Sequence, residues 1–305
     1  MTYSETLLSD GLDHPLFVRT WLPDGEIRGM VQILHGMAEH SGRYERLGTF
    51  LAENGYAAFC HDHRGHGHSC LAGETLGWFA DRDGWEVLTQ DAFRLGRLIC
   101  DAHPEKVPFI LFGHSMGSML ASEMATREEA WIYDRFILCG SPASNPMVKG
   151  GIALAKAYCA VGMDKTPNEV LYFLSIGKAS RIFRKENSRH AWLTTNKGSV
   201  QKFAEDPLCG FYFTSAGFRD LFTGMARTRN EGWAVKTICR PFLLVAGADD
   251  PIGNRGTGVL WLRDSLRACG RKADAILYPG KRHEILNETD CNRVYDDILS
   301  FISEA

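Results

Sequence analysis

The stretch LFGHSMGSML, residues 111–120, sets a serine between two glycines as G-x-S-x-G, where an apolar run gives way to a helical pattern. The spacing has a mechanical meaning. Gly113 and Gly117 relieve crowding where a strand turns sharply into a helix, lifting Ser115 out in a strained conformation. The helix N-terminus below it favours negative charge developing on a substrate oxygen. The chemistry this suits is nucleophilic attack on an acyl carbon. A serine hydroxyl needs a base, and His114 is expected to point away because neighbouring side chains on such a turn diverge. The base is expected late in the chain, after an acid that closes a later strand. LLVAGADDPIG ends one apolar run with Asp249 and Asp250, and LYPGKRHEILNE ends the next with His283. A second cluster, CHDHRGHGHSC at 60–70, raises the question of a metal site through His61, His63, His66 and His68.

The elements that must position these residues are legible as alternating short apolar runs and longer amphipathic stretches, the pattern of a mostly parallel sheet covered by helices. Strands are expected at 16–23, 29–36, 56–62, 108–113, 135–140, 241–247 and 274–280. Helices are expected at 43–55, at 84–104 with Pro104 as the stop, from Ser115, over AGFRDLFTGMARTRN, over GTGVLWLRDSLRACG and after Asn287. At SPASNP the alternation stops, and residues up to about 212 read as helices and loops. The expected organisation is therefore a core in two parts, 1–140 and 213–305, with a mainly helical cap inserted at 141–212.

Composition narrows the function. A chain of 305 residues that is 45% hydrophobic and 23% charged is ordinary globular material. A formal charge of −3 with no block of lysine and arginine argues against nucleic acid as a partner. Nine scattered cysteines with no C-x-x-C suit reduced thiols in a cytoplasmic protein. The N-terminal MTYSETLLSDGLDHPLF lacks the basic-then-apolar plan of a signal peptide. The longest apolar run, GGIALAKAYCAVGM, is broken by Lys156 and is too short to span a membrane.

The motif series LHGMAEHSGRY, DHRGHGHS, GHSMGS, GADDP and RHEILNE resembles the monoacylglycerol lipase and lysophospholipase branch of the α/β-hydrolases. The order Ser, Asp, His is that of this fold. The resemblance implies an α/β-hydrolase fold and a serine carboxylester hydrolase needing no cofactor. It implies Ser115 as nucleophile, His283 as base and, counting G-x-x-D from Gly247, Asp250 as the acid. It also implies an oxyanion hole from the backbone N–H groups of Met37 and Met116; the bulk of Met37 is expected to narrow the pocket. DHRGHG then reads as a loop after a core strand in which Asp62, Arg64 and His66 hold the backbone. Side chains alternate between faces along a strand, so the histidines need not converge, and no metal is expected.

Between Lys149 and Lys202 stand ten basic residues against three acidic ones. A basic cap suits an anionic head group or lipid surface; a solvated helical face has the same composition. GGIALAKAYCAVGM reads either as a membrane-touching lid helix or as one packed on the core. Phe211, Tyr212, Phe213 and Phe218 are candidates for an apolar wall, or for plain core packing. Glu39 and Arg43 are spaced to pair and brace their loop, or to stay solvated. Two other readings stand beside the esterase: an aminopeptidase of the same fold, which would want carboxylates in the cap for a free amine, and a non-catalytic binding protein, which would be free to lose a triad member. A dehalogenase would carry aspartate at position 115.

Overall fold

The computed structural model describes residues 1–9, 13–103 and 106–304, so Pro104 lies outside the described residues. Its strands are β1 (Thr2–Leu8), β2 (Leu16–Leu22), β3 (Gly29–Leu34), β4 (Tyr56–His61), β5 (Phe109–His114), β6 (Arg135–Cys139), β7 (Phe242–Gly247) and β8 (Ala273–Tyr278). They form one eight-stranded sheet in the order β1-β2-β4-β3-β5-β6-β7-β8. β2 runs antiparallel to both β1 and β4, and every other pair is parallel. Every residue of β3 to β7 is buried, as expected of parallel strands covered on both faces.

The sequence reading begins the sheet at Leu16, and the structure adds β1 before it. β1 pairs with β2 from Thr2 opposite Leu22 to Leu8 opposite Leu16. Its side chains are almost all exposed, so TYSETLL carries no alternation of apolar and polar residues to announce a strand.

The helices are α1 (Glu45–Glu53), α2 (Gly84–Ala102), α3 (Met116–Met124), α4 (Val148–Ala160), α5 (Glu169–Ser175), α6 (Gly177–Ile182), α7 (Lys197–Glu205), α8 (Ser215–Thr228), α9 (Thr257–Ala268) and α10 (Asn292–Ser303). One sheet face is covered by apolar side chains of α2, α3, α8 and α9, such as Leu88, Phe93, Leu120, Phe218 and Leu262. The other face is covered by α1 and α10, through Leu47, Leu51, Val294 and Ile298. Between β6 and α8 the described residues add no strand to the sheet; this stretch holds α4 to α7, and its Tyr172, Trp192 and Phe203 line a cavity together with Ser115. α4 packs along α8, so the apolar run around Ile152 and Ala155 is a packed helix with a wet outer side. The loops after β3, β5, β7 and β8 meet at the C-terminal ends of the parallel strands, the place where open α/β sheets build their sites.

Candidate active site

β5 runs directly into α3 through Ser115, whose backbone sits at φ 53°, ψ −114°. A side chain there is held in a conformation that L-residues avoid, and the surrounding packing has to impose it. The packing is tight enough: a Cβ on Gly113 would collide with the Gly117 carbonyl, and a Cβ on Gly117 with the Leu34 carbonyl. The Ser115 amide donates to Cys139 O at 2.9 Å, fastening the turn to β6. Met116 opens α3, so its N–H is among the helix donors with no partner within the helix.

His283 lies between β8 and α10, and Asp250 follows β7. Ser115 Oγ is 2.9 Å from His283 Nε2, and His283 Nδ1 is 2.9 Å from Asp250 Oδ2. With a carboxylate on Nδ1, that nitrogen carries the proton and Nε2 is left to accept from the serine hydroxyl. Asp250 is fully buried and also accepts from the Ile252 amide, whereas Asp249 is exposed and uses its own amide to reach Lys281 O. Burial alone would push the His283 pKa down; Asp250, with Glu284 and Glu39 behind it, outweighs that and holds it above 6.5.

Glu39 and Arg43 do pair, and they do so in the interior. Arg43 donates to Glu39 Oε2 at 2.7 Å and forks onto both Glu284 oxygens at 2.5 and 2.7 Å. The other Glu39 oxygen accepts from the Gly36 amide at 2.5 Å and from Tyr44 Oη at 2.9 Å. This ties the loop carrying Met37 to the residue that follows His283. Burial would raise the Glu284 pKa, but the Arg43 guanidinium brings it down to about 2. His114 turns its ring toward Gly140 and makes no hydrogen bond to Ser115; burial, with His283 beside it, lowers it to about 4.

Above Ser115 opens a cavity with about 840 Å³ of space counting its open mouth, and Met37, Met116, Ser115 and His283 are part of its wall. The rest is mainly apolar, with Met119, Tyr172, Trp192, Leu193, Leu221, Phe222, Met225 and Ile252. Of the two readings of Phe211, Tyr212, Phe213 and Phe218, apolar wall or core packing, the structure supports packing, and none of the four is on this wall. Phe213 and Phe218 are fully buried, with Phe213 packed on Phe79 and His66, while Tyr212 meets the wall residue Tyr172 edge to face. They are packing residues at the junction, and α8 presents Leu221, Phe222 and Met225 to the cavity in their place. The Trp192 ring lies 5.1 Å from that of His283. Neither Trp192 nor Glu284 stands out in the sequence: the first sits in the unpatterned segment SRHAWLTTN, and the second matters only through Arg43.

The histidine run differs from its expected alternation. His61, His63 and His66 gather around His35, with ring centroids 4.1 Å apart for His35–His63 and 4.6 Å for His61–His63. β4 ends at His61, so alternation stops there, and the chain folds back through the left-handed Gly65 and Gly67. The bonds fix the tautomers. His35 Nε2 accepts from the His63 amide, His63 Nε2 faces the His35 carbonyl, and His61 Nε2 then donates to His63 Nδ1. Burial holds all four below 6.5, with His61 and His66 at about 4. His68 leaves the group and lies on Phe17. Asp62 accepts from the Ser41 and His68 amides, and Arg64 pairs with Asp91, so both hold backbone and neighbouring helix. His40, Asp206 and Cys209 also bring ligand-type atoms within 4.8 Å. There the Gly42 amide donates to His40 Nδ1, leaving Nε2 to carry the proton it gives Asp206; a metal-binding histidine would use its second nitrogen as a donor.

The family model described as serine aminopeptidase, S33, matches residues 25–290. Among curated proteins, the monoglyceride lipase of Mus musculus is 26% identical over 295 residues, covering 94% of this chain and 86% of that protein. The monoacylglycerol lipase of Mycolicibacterium smegmatis is 28% identical over 285 residues, covering 92% and 90%. Among solved structures, a thermostable carboxyl esterase from Bacillus coagulans in complex with glycerol superposes with a TM-score of 0.92 at 26% identity, covering 100% of this chain and 99% of that one.

Proposed function

The chain belongs to the serine aminopeptidase S33 family of α/β-hydrolases, and on that premise we propose that it cleaves single-chain acyl esters of the monoacylglycerol type through an acyl-enzyme on Ser115. It is a carboxylic ester hydrolase of the monoacylglycerol lipase-like branch. The observation that carries the residue roles is the relay of two 2.9 Å bonds, Ser115 to His283 to Asp250, at the floor of an apolar cavity. His283 takes the Ser115 proton as Oγ attacks the ester carbonyl. The N–H groups of Met37 and Met116 receive the oxyanion, and Asp250 holds the imidazolium in place. His283 then hands the proton to the leaving alcohol, and water repeats the sequence on the acyl-enzyme.

The mainly apolar wall, with Met119, Leu221, Phe222 and Met225 beside Ser115, suits a flexible acyl chain. The aminopeptidase reading needs a carboxylate free to hold an amine. The two carboxylates on the cavity wall, Glu39 and Glu284, are both spent on Arg43. The cap's outer side exposes Val170, Phe173, Leu174 and Ile182 among Lys178, Arg181, Arg184 and Lys185, which supports transient contact with a lipid surface. No helix among the described residues is long and apolar enough to cross a membrane. Nine free cysteines support a reducing, cytoplasmic setting.

Ser115→Ala tests the reading. The purified variant keeps its melting temperature and loses ester hydrolysis by on the order of 10⁴-fold or more. Activity above a few per cent of the parent's, or preference for an aminoacyl anilide over a p-nitrophenyl ester, overturns it.

A further inference from the structure

The two residues flanking His283 are held through their backbone amides, and in both cases the anchor leads to the cap segment 191–195. The Glu284 amide donates to Leu193 O at 2.6 Å. The Arg282 amide donates to Glu288 Oε1 at 3.0 Å, and the same carboxylate accepts from the Thr195 amide at 3.1 Å and from the Thr195 hydroxyl. Glu288 is completely buried. A buried carboxylate is costly unless its oxygens are filled by donors, and here one donor comes from the histidine loop and two from the cap. The side chain of Arg282 adds to the junction, donating to Ala191 O and pairing with Glu186. Trp192, between these anchors, lies against the His283 ring.

We propose that Glu288 is a positioning residue for the hydrolysis, making the placement of His283 depend on the docked cap segment. Its carboxylate ties Thr195 to Arg282, and the Leu193 carbonyl ties the cap to Glu284, so the imidazole swings only if the cap segment lets go. The physical stake is the alignment of Nε2 with Ser115 Oγ, where about an ångström of misplacement costs on the order of a hundredfold in rate. The inference rests on His283 being the general base.

The test measures kcat and KM on p-nitrophenyl butyrate, with active sites counted by the acylation burst, in Glu288→Gln, Thr195→Val, Thr195→Ser and His283→Ala. Thr195→Val removes one donor from the cap side alone and keeps the chain foldable should Glu288→Gln not fold. The expected result is a kcat per active site down about tenfold or more in Glu288→Gln and several-fold in Thr195→Val, with KM within about twofold and Thr195→Ser close to the parent. A merely structural role lowers the melting temperature and the number of active sites and leaves kcat per site unchanged. That outcome, or a change confined to KM, overturns the proposal. His283→Ala separates the two levels: an active His283→Ala removes the base assignment itself, whereas an inactive one beside unaffected Thr195→Val and Glu288→Gln removes only the positioning role.

Discussion

At the scale of single residues, the sequence exposes what spacing alone can encode. Ser115 is legible because its glycines are local, and His283 because it closes the strand after the aspartates. Choosing Asp250 over Asp249 takes a motif count; Asp250 lies buried against His283, and Asp249 faces solvent. What stays hidden are residues whose partners are remote. Arg43 meets Glu284 across 241 positions and Thr195 meets Glu288 across 93, and neither pairing has a local signature. The acid–base behaviour follows from this scale. As the proposed base, His283 has to be neutral to take the serine proton, and Asp250 holds its pKa above 6.5. Activity is therefore lost as pH falls through that raised value, so the acid limb of kcat/KM has its midpoint above pH 6.5. Asp250→Asn, which presents the wrong tautomer, costs about 10⁴-fold in kcat at neutral pH, and Asp249→Asn stays within about twofold. A midpoint below the ordinary histidine value, or the reverse order of the two variants, refutes the assignment.

At the scale of elements, the buried parallel strands announce themselves because both faces are covered and their runs are mostly apolar. β1 stays silent for the opposite reason, since its exposed side chains carry no pattern. The cavity wall shows a different limit. Aromatic content points to Phe211, Tyr212, Phe213 and Phe218, but which side chain faces a cavity depends on how α8 is rotated, and composition does not encode rotation. Leu221, Phe222 and Met225 do the lining. Their reach into the cavity should set the length of acyl chain it admits. Leu221→Trp fills part of that space, so kcat/KM for a long-chain p-nitrophenyl ester falls about tenfold or more while the butyrate ester stays within about threefold. Equal losses on both esters place the cavity's chain-binding region away from α8.

At the scale of the whole molecule, the interior stores histidines as neutral groups. Burial keeps His35 and His63 well below 6.5, and His61, His66, His114 and His190 at about 4. In the unfolded chain all six titrate near 6.5, so below that pH the unfolded state binds more protons than the native one. Each such group then removes up to about 1.4 kcal/mol of stability per pH unit until its native pKa is reached. His283 acts with the opposite sign: its raised pKa contributes stability that is complete below 6.5 and lost as pH rises through the native value. One group of that sign does not balance six of the other. The carboxylate of Glu284, held at about 2, adds its own loss only as pH falls below its ordinary 4.5. The melting temperature should therefore fall steadily from about pH 7 to about pH 5, before the carboxylates begin to titrate. Calorimetric scans at half-unit intervals measure this directly. A melting temperature that is flat or rising on acidification over that window means the histidine cluster around His35 is protonated or hydrated in the native protein.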